Sequence, residues 1–160
     1  MQRKVNIVGD KLVSEIAVKD VKIKKNELAG WQNSMLEQHG WYVHYVFIDE
    51  HTVDSHTHGL IDNFNHPELQ IIFPLPETTV HKIFSRIINN IREGAKYKEN
   101  NYVEGIIDNY KIKFIKSPDE NTYDVLRIIV PDVSGNLDVG TLVPPFHLQY
   151  GKSSTIKIIH

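Results

Sequence analysis

Six of the nine histidines of this 160-residue chain fall between His39 and His66: His39, His44, His51, His56, His58 and His66. Imidazole is the commonest protein metal ligand and exchanges protons near neutral pH. The chain has no cysteine. Thiolate nucleophiles, iron–sulfur clusters and cysteine zinc sites are therefore excluded, and a metal would have to be held by His and carboxylate. His56 and His58 stand two residues apart in a segment, residues 55–61, that reads as a strand. Period-two geometry points both rings to one face. A third ligand would complete a zinc, nickel or copper site. Candidates for it are His44 on the neighbouring strand, His66 at the following turn, and His51 or Asp54 in the intervening loop. Two imidazoles on a strand are also an ordinary polar surface, and sequence alone favours that reading.

A second constellation is His66-Pro67-Glu68. His and Glu are the usual partners in proton transfer, so His66 and Glu68 are a candidate functional turn. No nucleophile or base is paired to them by spacing, which favours a turn whose side chains bind free backbone groups. The other histidines read more plainly. His44 sits among aromatics and reads as packed and neutral. His39 lies at a helix C-terminus, where a cation is favoured. His51 and His81 read as surface, and His147 follows Pro144-Pro145-Phe146 in a rigid loop.

These side chains need a scaffold. Residues 3–24 alternate imperfectly and read as two short strands around Gly9-Asp10. Residues 26–39 read as a helix, with Asn26 as N-cap and Gly40 as its stop. Residues 41–48, apolar or aromatic on both faces, read as a central strand. Residues 55–61 and 69–73 read as its partners. Pro76 opens the clearest helix, to about residue 93, in which Val80, Ile83, Phe84, Ile87, Ile88 and Ile91 follow the helical period. Residues 102–107 and 110–116 flank Asp108-Asn109 as a hairpin, with Ile107 opposite Tyr110, Gly105 opposite Ile112 and Val103 opposite Phe114. Glu104 then faces Lys113. Gly59 and Gly105, isolated in strands, mark bulges or close backbone approach. Residues 124–130 form a further strand, and 155–159 are a last candidate. The expected fold is α+β, with a mainly antiparallel sheet, strong curling left open, and two helices at about 26–39 and 76–93.

Hydrophobic residues make up 41% and charged residues 24%, with a formal net charge of −2. This is the balance of a soluble globular domain, and the length suits one domain over residues 1–160. Basic residues form no face or stripe, so nucleic acid is not expected as a partner. No apolar run approaches the ~20 residues of a membrane span, and a cytoplasmic protein is expected. Neither a P-loop, a G-x-G-x-x-G turn nor a G-x-S-x-G elbow is present.

Several short motifs in fixed order resemble one bacterial family. They are Gly40-Trp41-Tyr42-Val43, His56-Thr57-His58-Gly59-Leu60, His66-Pro67-Glu68-Leu69 and Leu75-Pro76, then Val103-Glu104-Gly105, Tyr110-Lys111-Ile112-Lys113-Phe114 and Pro131-Asp132 with Gly135. Together, over about residues 39–138, they are similar to the family catalogued as domain-of-unknown-function number 4262. Residues 1–38 then form an N-terminal extension and 139–160 a C-terminal tail. His56 stands where that family usually has Tyr, and Asn65 where it has Gly. The resemblance implies no activity, catalytic residue or cofactor.

Three function classes stay open, and so does whether the chain is an enzyme. The first is a non-catalytic binding or regulatory module with a protein partner or a second copy of itself. The second is a metal-binding protein or small metal-dependent enzyme, with a divalent transition metal on His56 and His58 and His44 or His66 in support. The third is a flavin- or nucleotide-binding protein using Trp41, Tyr42 and Tyr45 for stacking.

Overall fold

The computed structural model describes residues 18–153. The elements run α1 (Val18–His39), β1 (Tyr42–Asp49), β2 (Thr52–His58), α2 (Leu60–Phe64), β3 (Glu68–Ile71), α3 (Glu77–Arg92), β4 (Tyr102–Ile107), β5 (Tyr110–Lys116) and β6 (Val125–Ile129). A 3-10 turn follows at Phe146–Tyr150. The strands form one open six-stranded sheet in the order β1-β2-β3-β6-β5-β4. The fold is α+β, as expected, but the sheet is mixed rather than mainly antiparallel. β3 and β6 pair in parallel, because α3 carries the chain across the sheet and the β4–β5 hairpin is laid down outside β6. The sheet is not closed, and strong curling is not supported.

One face of the sheet holds the main core. Val43, Tyr45, Leu69, Ile71, Ile112, Phe114, Leu126 and Ile128 pack with the stripe Val80, Ile83, Phe84, Ile87, Ile88 and Ile91 of α3. Every residue of that stripe is buried. At roughly 1.5–3 kcal/mol per fully buried large apolar side chain before entropy, the stripe is a major source of stability. The opposite face is covered over β5 and β6 by the chain's last described stretch, where Ile129, Leu137 and Leu142 pack with Ile115, Phe146 and Tyr150.

Four expectations need correction. Residues 18–24 are helical and not part of a strand; the three-and-four spacing of Val18, Val21, Leu28, Trp31 and Met35 continues one helix through Asn26. Residues 1–17 and 154–160, with the strands expected in them, lie outside the described residues. β1 is an edge strand, not a central one. Its outward residues Tyr42, His44 and Val46 are only partly buried. A third helix, α2, replaces the end of the strand expected over 55–61. Gly59 breaks that strand at φ 112°, and a Cβ there would lie 2.3 Å from the Gly40 carbonyl oxygen, so the close backbone approach admits only glycine. The hairpin keeps Ile107 opposite Tyr110, but Val103 opposes Ile112. Between those pairs β4 has Glu104, Gly105 and Ile106 where β5 has only Lys111. Gly105 takes φ 86° in this bulge. Glu104 consequently reaches Lys111 at 3.8 Å, and Lys113 pairs instead with Asp138 at 3.0 Å.

Candidate metal centre

The β1–β2 hairpin sets Tyr42 opposite His58, His44 opposite His56, and Val46 opposite Asp54. His56 and His58 thus share a face, and the face of β1 that meets them carries His44. One ligand nitrogen from each of His44, His56 and His58 falls within 4.8 Å of the others. Among the described residues this is the one such group of three metal-ligating side chains. The rings lie 5.1 Å (His44–His56), 5.8 Å (His44–His58) and 4.8 Å (His56–His58) apart, and Tyr42 stacks on His58 at 5.1 Å. All three rings are partly buried.

The electrostatics favour a neutral His58. Burial first, and then the neighbouring His56 and His44, push the His58 pKa down to about 4. An unprotonated ring is the form that binds a metal. Tyr42 is shifted up by burial, Glu68 and Tyr123, so its phenol keeps its proton. Asp54 lies below the usual carboxylate range. Burial acts to raise it, but hydrogen bonds and charges from His56, Gln70 and Arg127 outweigh that.

The same row continues across the sheet into side chains that sequence reasoning passed over. His56 pairs with Gln70 and Gln70 with Arg127. Arg127 is fully buried. Its guanidinium donates to Gln70 Oε1, to Asp119 Oδ2 and to the Gln149 and Gly151 carbonyls. Gln70 Nε2 donates to both Asp54 Oδ1 and Asp119 Oδ2. Asp54, expected in the loop before the strand, lies on β2 two residues before His56, and the legible signal was Arg127 as a lone charge inside Val-Leu-Arg-Ile-Ile-Val.

His66 and Glu68 lie outside this group. His66 Nδ1–H donates to the Pro67 carbonyl at 2.8 Å, while Nε2 accepts the Tyr97 N–H at 3.2 Å. Burial holds its pKa below the ordinary value. The buried Glu68 carboxylate accepts from Thr57 Oγ1 (2.8 Å) and from the N–H groups of Gly59, Leu60 and Ile61 at the start of α2. His51 is exposed beside Glu50. Of the stacking candidates, Trp41 and Tyr45 are buried in the core, and only Tyr42 reaches the surface.

Fold and cluster together define an α+β protein with three imidazoles on the outer face of a mixed sheet. Over residues 35–137 the chain matches the model of the family described as Domain of unknown function (DUF4262), and it belongs to that family. No curated protein and no solved structure matches it. No helix among the described residues is long and apolar enough to cross a membrane. The family's function is unassigned, so membership favours neither the binding-module nor the metal expectation.

Proposed function

We propose that this chain binds a divalent transition-metal ion through His44, His56 and His58. One observation carries the reading: three ligand nitrogens from two adjacent strands converge within 4.8 Å. In a tetrahedral site with Zn–N of about 2.0–2.1 Å, nitrogens lie about 3.3 Å apart, so side-chain rotation has at most about 1.5 Å to close. Three imidazole ligands suit Zn²⁺, Cu²⁺ or Ni²⁺ rather than Mg²⁺ or Ca²⁺, which take oxygen ligands. Three protein ligands leave a coordination position for water or a small molecule, as in catalytic rather than structural zinc sites. His66 and Glu68 then serve architecture, since their polar atoms are engaged within the fold.

The test is Zn²⁺ and Co²⁺ titration of tag-free protein against a competing chelator. Stoichiometric binding, a tetrahedral Co²⁺ spectrum and loss of both in His56→Ala/His58→Ala are expected. Binding that is absent, or unchanged in the double variant, overturns the reading.

A further inference from the structure

Asp54 is not part of the imidazole group, yet it touches one member of it. Its Oδ1 lies 3.1 Å from His56 Nδ1, and the same oxygen accepts the Gln70 Nε2 hydrogen at 3.1 Å. An ionised carboxylate is an acceptor only. A neutral His56 in contact with it must therefore carry its proton on Nδ1, which leaves the Nε2 lone pair free.

The carboxylate is itself held. The Gln70 amide makes four hydrogen bonds: Nε2 to Asp54 and Asp119, and Oε1 from Ser117 Oγ (3.0 Å) and Arg127 Nε (2.9 Å). A flipped amide would set its oxygen against two carboxylates and its NH₂ against a guanidinium. Its orientation is thus fixed from both ends. Behind it, Arg127 is locked by Asp119 and by two backbone carbonyls. The chain from Arg127 through Gln70 to Asp54 is built on strands and mostly buried, and rigid support of that kind positions a ligand well.

The geometry points to Asp54 as a positioning residue that fixes His56 in the Nδ1–H tautomer, so that His56 would bind metal through Nε2. The tautomer assignment stands on the His56–Asp54–Gln70 contacts alone. Its consequence for affinity rests on the proposed metal reading. Outer carboxylates of this kind orient the ring and raise its basicity, and their loss commonly costs 10–100-fold in metal affinity.

The test uses the full chain labelled with ¹⁵N. Long-range ¹H–¹⁵N correlation spectra of the metal-free protein should show His56 as the Nδ1–H tautomer. Asp54→Leu should shift His56 toward Nε2–H and weaken Zn²⁺ binding about 10–100-fold in chelator competition. Asp54→Asn keeps an acceptor oxygen but no charge. It should retain the tautomer and lose less affinity than the leucine variant. Unchanged His66 resonances, whose hydrogen bonds are elsewhere, certify an intact fold. A wild-type His56 in the Nε2–H form, or a tautomer indifferent to Asp54→Leu, overturns the assignment. A wild type that shows Nδ1–H but binds no Zn²⁺ overturns the metal reading and upholds the tautomer assignment.

Discussion

The outer face of the sheet divides into two regions built on opposite principles. Over β6 and β5 the chain folds back on itself, and Arg127 is buried with carboxylate, amide and carbonyl partners supplied from within the fold. Over β1 and β2, three imidazoles sit in one place, partly exposed. In the first region opposite charges and donors are matched with acceptors. In the second, ring nitrogens of three histidines lie within 4.8 Å of one another, with no opposite charge among the three. Gln70 joins the two, with one hydrogen on Asp54 and one on Asp119. Matching of the first kind stabilises a fold, whereas clustering of the second kind is what the metal proposal rests on.

The largest effect should come from breaking the matched region. Arg127→Met removes the guanidinium and leaves the Asp119 carboxylate, with side-chain exposure of 13%, without its counter-charge. Loss of one partner of a buried ion pair costs about 3–5 kcal/mol. Urea unfolding should show a loss of this size. A change below about 1 kcal/mol would mean that the buried network contributes little and that the two regions are energetically alike.

Next in size is the junction that seats the imidazole strand. Gly59 follows His58 directly and lies against the Gly40 carbonyl, at φ 112°. Gly59→Ala should cost at least about 1–3 kcal/mol in backbone strain alone, with overlap to add. Chemical denaturation measures it. The expected partition is that the imidazole region depends for its shape on this junction and on Glu68, not on the imidazoles.

How much of this was legible in sequence follows from the range of the forces involved. α3 announced itself because its six apolar residues repeat at one period and its ends carry Pro76 and Gly94. His56 and His58 were placed on one face because period two is a local property. The join to His44 depended on the β1–β2 register, in which paired residue numbers sum to 100, as in 44 with 56 and 42 with 58. Alternative registers would have paired His44 otherwise, so the triad was nameable but not certain from spacing. α2 was invisible because the Gly40 carbonyl that meets Gly59 is 19 residues away in sequence, and the Glu68 carboxylate that caps its start follows the helix instead of preceding it. The parallel β3–β6 pairing was hidden for the same reason: it is fixed by where α3 and the β4–β5 hairpin pack.

Acid should separate imidazole from carboxylate contributions. His66 is held below its ordinary value of 6.5 by burial. The unfolded chain therefore binds a proton that the fold resists, and stability falls as pH drops below about 6.5. Asp132 is also shifted down, so it too loses stability on acidification, but in a lower pH window and because hydrogen bonds favour its charged form. Burial acts to raise its pKa, but hydrogen bonds from Asn136, Val143 and Ser134 outweigh this and hold it below 3.8. Its contribution is present above the unfolded value and is lost only as pH falls through the lower folded one. Thermal unfolding of metal-free protein should thus show two stages, one beginning near pH 6.5 and one below about pH 4. His66→Gln and His58→Leu should each reduce the first, and Asp132→Asn should reduce the second. A single stage confined to pH below about 4 would remove the imidazole contribution.

The smallest effect on stability should belong to the triad itself. His58→Leu replaces a ring held neutral by an apolar side chain able to pack on Tyr42. Substitutions away from buried networks commonly change stability by no more than about 0.5 kcal/mol. The same variant should lose most of its Zn²⁺ affinity, because two imidazoles remain where three converged. A small stability change with a large affinity change, read by urea unfolding and chelator competition on one preparation, is the signature of a region kept for binding. If His58→Leu instead costs more than about 2 kcal/mol, a loss of the size expected for core truncation, the triad is part of the packing and the contrast with the Arg127 region disappears.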